Sequence, residues 1–192
     1  MPVNPRDWTY QSFKYGVMGW LLIAQERRAL ALLDRMLARW PDDAYALASR
    51  AHLRAQLGDR AGALTDARAL VAAHPARSPA DWFNLAFLLE ADGRLEEAEP
   101  AFRRAVELDD KLDRAWYGLG LVLIRLGRYD EAVKALERNT KLQPMSPYGW
   151  YQLARVHMDR QAPDEALKVI RHLKGFEPKV AAQLERETGL AA

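Results

Sequence analysis

The sequence repeats itself at a step of 34 residues, and this repeat limits the possible folds more than any other feature. Tryptophan, leucine and alanine recur in register in the last three copies: Trp82, Trp116, Trp150; Leu85, Leu119, Leu153; Ala98, Ala132, Ala166. One extra residue near residues 76–78 makes a single step 35 residues long. A period of this length is the signature of a repeat array, in which each unit buries its apolar side against its neighbours.

Each copy has the pattern of two helices. Ala, Leu and Arg, which are strong helix formers, dominate the composition. The fourth copy places apolar or small residues at i, i+3, i+4 and i+7, which is one stripe of a helix: Trp116, Leu119, Gly120, Leu123. Gly93 and Gly127 are predicted to end the first helices in a left-handed conformation, and Pro144 and Pro178 to end the second helices.

The fourth copy also carries the fullest motif, with AWYGLG at residues 115–120, GRYDEA at 127–132 and LQP at 142–144. This motif resembles the tetratricopeptide repeat, a helix–turn–helix unit of about 34 residues. The resemblance implies an all-α fold, an α-solenoid with a right-handed superhelix, forming a single array over residues 1–192. The units are predicted at residues 10–43, 44–78, 79–112, 113–146 and 147–180, followed by a cap helix over 179–188. We therefore expect about eleven helices and no strand.

In this family the first helices of the units line a concave groove. Positions two, five, nine, twelve and thirteen of a unit share the face opposite the packed stripe. In the last three units these positions supply the predicted peptide-binding residues: Phe83, Phe87, Arg114, Tyr117, Leu121, Ile124, Arg125, Tyr148, Tyr151, Arg155. The degenerate second unit places Tyr45, Ala48, His52, Ala55 and Gln56 on the same face.

Aromatic residues with arginine are favoured anchors in protein interfaces, and an exposed apolar patch usually marks an interaction site. The sequence therefore predicts an interaction scaffold or adaptor that binds an apolar, acid-bearing segment of a protein or peptide partner. Some members of the family clamp a partner's terminal carboxylate. Only Asn84 and Arg114 match that clamp, so we do not expect one here.

Two other interpretations stay open. The apolar wall, or a first unit that carries Trp8, Trp20 and Trp40, could be buried by self-association, which would make the chain a structural assembly subunit and a homo-oligomer. Alternatively, aromatic and arginine side chains in a groove could stack the bases of single-stranded RNA. The formal net charge is +2, with acidic residues between the basic ones, so we predict no nucleic-acid partner.

The residues of common catalytic and metal sites are missing or scattered. The chain has no cysteine, and its four histidines belong to no ligand motif. Paired acids such as Glu96 and Glu97 begin second helices, where they favour the helix dipole. We therefore predict that the chain is not an enzyme and needs neither cofactor nor metal.

The longest apolar run, residues 16–24, is much shorter than the ~20 residues needed to span a bilayer. Residues 15–24 weakly resemble a signal peptide, but an acidic residue precedes them and Leu22 is bulky for a cleavage site. We therefore predict no membrane span and a cytoplasmic location.

Overall fold

The computed structural model describes residues 8–191. Over these residues it contains eleven helices and no strand, which confirms the predicted all-α fold. The helices are α1 (Trp8–Leu22), α2 (Glu26–Arg39), α3 (Ala44–Gln56), α4 (Arg60–Ala73), α5 (Pro79–Ala91), α6 (Leu95–Leu108), α7 (Asp113–Arg125), α8 (Tyr129–Leu142), α9 (Pro147–Asp159), α10 (Pro163–Lys174) and α11 (Pro178–Thr188). None of these helices combines the length and the hydropathy needed to cross a membrane.

The chain divides after Leu88 into two compact units, and α5 runs across the boundary. Unit 1 comprises α1 to α4 with most of α5, and unit 2 comprises the end of α5 with α6 to α11. The boundaries of the individual repeats and the single array over residues 1–192 stay predictions.

The core of unit 1 is built around Trp40, which directly follows α2. The Tyr10 ring meets the Trp40 ring edge-on at a centroid distance of 5.3 Å, and the Phe13 ring does so at 6.2 Å. Trp40 is 9% exposed whereas Trp8 is 84% exposed. Trp20 is half-buried, with the Arg28 guanidinium 4.6 Å from its ring centroid. The three tryptophans of the first unit therefore do not form one surface, because Trp40 faces the core and Trp8 faces solvent.

A buried carboxylate joins three helices of unit 1. Both oxygens of Asp66, on α4, bind the Arg50 guanidinium, with Oδ1–Nη2 at 2.6 Å and Oδ2–Nε at 2.9 Å. Arg54 Nη1 donates to the same Oδ2 at 2.8 Å, and Arg50 Nη1 reaches Asp34 on α2 at 2.7 Å. This network fixes the rotation of α3 relative to α2 and α4.

The tryptophan column of the repeat makes the same contact in each of its three copies. The indole Nε1–H of Trp82 donates to the backbone carbonyl of Pro75 at 2.8 Å. The indole of Trp116 binds the carbonyl of Asp110, and that of Trp150 binds the carbonyl of Pro144, both at 2.9 Å. The three tryptophans thus tie the start of a first helix to the segment before it.

Small residues allow close helix packing in unit 2. Ala132 is fully buried, and a Cβ added at Gly120 would lie 2.7 Å from Leu136 Cγ. A Cβ at Gly118 would lie 2.5 Å from the Phe102 ring. Gly118 and Gly120 therefore mark places where α7 closely contacts the neighbouring second helices α6 and α8.

Each of the five helix pairs has a left-handed residue in its turn, as predicted for Gly93 and Gly127. These residues are Ala24 (φ 53°), Gly58 (φ 85°), Gly93 (φ 77°), Gly127 (φ 72°) and Gln161 (φ 58°). The first and last turns therefore hold a residue with a side chain where the middle three hold glycine.

The prediction that Pro178 ends a second helix is wrong. α10 ends at Lys174, and Pro178 is the first residue of α11. Proline suits this place because its missing N–H would have no helical partner there. The last helix consequently begins one residue before the predicted position, and it ends at Gly189, which has a φ of 72°.

Candidate functional site

Unit 1 contains a cleft of about 410 Å³, which we call the α3–α5 cleft. Residues of α3 and α5 form most of its lining, together with two residues of α4. The lining residues are Ala48, Ala51, His52, Ala55, Gln56, Ala67, Leu70, Asp81, Phe83, Asn84, Phe87 and Leu88.

The cleft exists because α3 lines it with small side chains and α5 with large ones. α3 contributes Ala48, Ala51 and Ala55, whose single methyl groups leave space beside the helix. α5 contributes the rings of Phe83 and Phe87, which stack one helical turn apart at 6.2 Å with 23° between their planes. Phe87 is 55% exposed, so its ring is available to an apolar side chain from outside. Each square ångström of apolar surface covered there gains roughly 25 cal/mol.

The polar residues of the cleft carry no unpaired charge. Asp81 is 5% exposed, and its carboxylate accepts hydrogen bonds from the Arg77 guanidinium, with Nε–Oδ2 at 2.8 Å. His52, Gln56 and Asn84 are exposed at the cleft. No lysine or arginine contributes to the lining. The surroundings therefore suit a neutral apolar side chain, with amide and imidazole groups near enough to bind a peptide backbone.

The sequence predicted Phe83 and Phe87, and the structure brings them together in the cleft with Ala48, His52, Ala55 and Gln56. It also adds residues that the sequence analysis missed, which are Ala51, Ala67, Leu70, Asp81 and Leu88. Ala51 and Ala67 belong to the packed faces of their helices. Whether they line a cleft therefore depends on the side chains of the neighbouring helices. The alanines of α3 that line the cleft, Ala48, Ala51 and Ala55, were the available signal.

In unit 2 the predicted basic residues have partners within the chain. Arg125 Nη1 forms a short ion pair with the Glu90 carboxylate. The Arg155 guanidinium lies 5.8 Å from the centroid of the Tyr151 ring. Both arginines are therefore held in place before any ligand arrives.

The last helix contributes to a second recess, at Tyr151. The Tyr151 hydroxyl donates to Glu187 Oε2 at 2.7 Å, and Gln183 Nε2 donates to Glu187 Oε1 at 2.7 Å. The hydrogen bond from Tyr151, followed by that from Gln183, lowers the pKa of Glu187, and the bond to Glu187 raises the pKa of Tyr151. Arg155 and Met158 also line this recess. The sequence analysis missed Glu187 because it treated the last helix as a solvated cap.

None of the ten predicted binding residues is buried. Tyr148 is the most exposed of the aromatic ones, at 71%. Tyr117, Leu121 and Ile124 are half-buried on α7, and Arg114 is exposed. Two of the ten lie in unit 1 and eight in unit 2. Their continuity as one surface stays a prediction.

Within residues 8–191, no group of three or more histidine or acidic side chains is arranged to hold a metal ion. His157 is 7% exposed, and its Nδ1 is the one buried side-chain polar atom in that range without a hydrogen-bond partner. Burial, followed by the nearby charge of Arg160, lowers the pKa of its imidazole. It lies on the packed side of α9 and lines neither the cleft nor the recess.

Comparisons with known proteins agree with this architecture. Residues 49–113 and residues 89–151 each match a family model described as tetratricopeptide repeat, and together the matches cover more than half of the chain. No curated protein matches the sequence.

Several solved structures share the fold. The MamA protein superposes with a TM-score of 0.81 and 19% identity, over 95% of this chain and 96% of that one. YrrB, described as a TPR protein with an unusual peptide-binding site, gives a TM-score of 0.80 and 19% identity over 88% of each chain. TTC0263, a thermophilic TPR protein of Thermus thermophilus, gives 0.58 and 22% over 94% of this chain and 99% of that one. At these identities the similarity establishes the fold alone.

Proposed function

Because the chain belongs to the tetratricopeptide repeat family, we propose that it is a protein-interaction scaffold that binds an apolar peptide segment in the α3–α5 cleft. The observation that carries this proposal is an open cleft with alanines on one wall and the stacked rings of Phe83 and Phe87 on the other. The peptide-binding site that YrrB is described as having supports the same general role.

The chemistry of the cleft defines the segment that it takes. One large apolar side chain fills the space beside the alanines of α3 and covers the Phe87 ring. His52, Gln56 and Asn84 then bind the peptide's own N–H and C=O groups, which would otherwise lose their water without replacement. Since the lining has no lysine or arginine, acidic side chains gain nothing at this place.

The predicted residues of unit 2 form a separate part of the proposal. Tyr117, Leu121 and Ile124 offer apolar contacts, and Tyr148 offers an exposed ring. Arg114, Arg125 and Arg155 lie on the same helix faces, and there acidic side chains of the partner would find their counterpart. Non-enzymatic function, a cytoplasmic location and the absence of a nucleic-acid partner remain predictions from the sequence.

A test of the cleft starts with a random peptide library displayed on phage and selected against the intact chain. We expect enriched peptides to share one large apolar side chain. Calorimetry with an enriched peptide should then show at least tenfold weaker binding to Phe87→Ala, because truncating a central aromatic anchor costs about 2 kcal/mol or more and ~1.4 kcal/mol is a factor of ten.

Met145→Ala is the matched control, since Met145 is 68% exposed and lies outside the cleft. It should bind the enriched peptides as the natural chain does. Ala55→Leu, which fills the cleft without removing any group, should weaken binding as Phe87→Ala does. Peptides that bind both cleft variants with unchanged affinity would place the binding site elsewhere and refute the proposal.

A further inference from the structure

α1 exposes a continuous apolar line to solvent. Trp8, Tyr15 and Leu22 follow one another at intervals of seven residues, which is two helical turns, and they are 84%, 67% and 87% exposed. Met18 lies beside them and is 56% exposed. No other helix of the described chain exposes as many large apolar side chains. Such a line usually marks a contact with another molecule.

The exposed face of α1 carries no charge. Lys14 is the one charged residue of α1, and its ammonium lies 4.8 Å from the centroid of the Tyr45 ring and 5.7 Å from that of Tyr10. Both distances place the Lys14 ammonium over aromatic rings of unit 1, on the side of α1 that packs against the rest of the unit. The outer face is left with aromatic, aliphatic, amide, hydroxyl and glycine groups only.

Gly19 lies within this face, between Tyr15 and Leu22. Glycine destabilises a helix interior relative to alanine and usually has a packing reason when it occurs there. Gly16 has such a reason, because a Cβ there would lie 2.8 Å from Leu32 Cδ1. A Cβ at Gly19 would meet no atom within 4 Å. No neighbour in the described chain requires a glycine at position 19. A second molecule that approaches α1 closely at this position would explain the glycine.

We propose that the exposed faces of α1 from two copies of this chain pack against each other in antiparallel orientation, centred on Tyr15. The spacing of the residues makes the face complementary to itself in this register. Trp8 of one copy lies opposite Leu22 of the other, and Tyr15 lies opposite Tyr15. Gln11 then faces Gly19, and Ser12 faces Met18, so a large side chain meets a small one at each of these positions.

Charge and area favour a second copy as the occupant. In a two-fold contact the same face of both copies is used, so a charge on the face of one copy lies near the same charge on the other, and the two repel. An uncharged face avoids this cost. The exposed parts of Trp8, Tyr15, Met18 and Leu22 present an area on the order of the ~800 Å² that one partner contributes to a stable interface.

The test uses sedimentation of the intact chain over a range of concentrations. We expect a monomer–dimer equilibrium that Tyr15→Glu weakens at least tenfold, because two carboxylates then meet at the centre of the contact. Tyr15→Lys alone should have the same effect. An equimolar mixture of the Tyr15→Glu and Tyr15→Lys chains should associate again, since opposite charges meet only if Tyr15 faces Tyr15.

Two controls distinguish this contact from others. Met145→Glu adds a charge at an exposed methionine that does not belong to α1 and should leave the dimer unchanged. Phe87→Ala, which tests peptide binding in the cleft, should also leave it unchanged. If Phe87→Ala dissociates the dimer, α1 of one copy binds the cleft of another, and the symmetric contact is wrong. A natural chain that stays monomeric at every concentration, or a mixture of the two Tyr15 variants that fails to associate, overturns the proposal.

Discussion

Asp66 is a buried carboxylate that two arginines of the neighbouring helix neutralise. Its side chain is 2% exposed, and it accepts hydrogen bonds from Arg50 and Arg54. Asp66→Ala should lower the free energy of unfolding by about 3–5 kcal/mol, because it leaves two guanidinium groups without their buried partner. Urea denaturation measures this change.

Asp34 provides the matched control for Asp66. It belongs to the same network through Arg50, but its side chain is 55% exposed. Asp34→Ala should therefore cost no more than about 1 kcal/mol, as surface ion pairs do. Equal losses for the two variants would show that burial of Asp66 does not set the strength of the network.

Repeat columns could not have predicted this network. Asp66, Arg50 and Arg54 have no counterpart at a step of 34 residues among the columns that define the repeat. Whether they meet depends on the rotation of α3 against α4, which the sequence period does not specify. The tryptophan column was predictable because each indole N–H donates to a backbone carbonyl of the preceding segment in every copy.

At the scale of the helix pair, the turn between the two helices requires a left-handed residue, and the first and last copies place a residue with a side chain there instead of glycine. Gln161 has a φ of 58° at the place where Gly127 has 72°. A side chain in the left-handed region costs roughly 1–2 kcal/mol. Gln161→Gly should consequently raise the free energy of unfolding by up to about 1 kcal/mol, the gain being reduced by the greater freedom of glycine in the unfolded chain.

The reverse substitution, Gly127→Ala, should destabilise the chain by about 1 kcal/mol. Thermal unfolding of both variants beside the natural chain gives opposite shifts of Tm if the argument holds. Shifts of the same sign would mean that side-chain contacts, rather than backbone conformation, decide these two positions. The sequence predicted the turn itself, since its place in the repeat is fixed.

The stability of the whole molecule should depend on pH through His157. Burial lowers the pKa of this imidazole in the folded state, whereas the unfolded chain keeps the usual value of about 6.5. The unfolded state therefore binds the proton more readily. The contribution of neutral His157 to the free energy of unfolding is fully present above about pH 7. It decreases as the pH falls below ~6.5 towards the lowered pKa of the folded state.

Charged groups of α8, of α10 and of the turn after α9 act on the same imidazole. Glu137 and Glu165 favour its protonation, while Arg160 and Lys168 oppose it, and burial is the largest effect. Urea unfolding at pH 7.5 and pH 5.5 should show a loss of stability that is smaller in His157→Gln, whose amide does not titrate. An identical loss in the variant would assign the pH dependence to other groups.

The fold of the molecule could be predicted from the sequence, but only some residues of its candidate site could. The period of 34 residues determined the helix pairs, and the face argument selected Phe83 and Phe87, which line the cleft. The location of the cleft depends on the absence of side-chain volume at Ala51 and Ala67, which a search for large anchors overlooks. Likewise, the recess at Tyr151 needed Glu187, which lies beyond the last repeat.

The indole hydrogen bonds of Trp82, Trp116 and Trp150 allow local opening of the chain to be measured at three separate places. Each indole proton is held by the backbone carbonyl before its helix, so it exchanges with deuterium only when that helix start separates from the preceding segment. Indole protons resonate apart from the backbone amides in an NMR spectrum. Three similar exchange times would describe a chain that opens as a whole, and a shorter time for Trp82 would describe one whose unit 1 opens by itself.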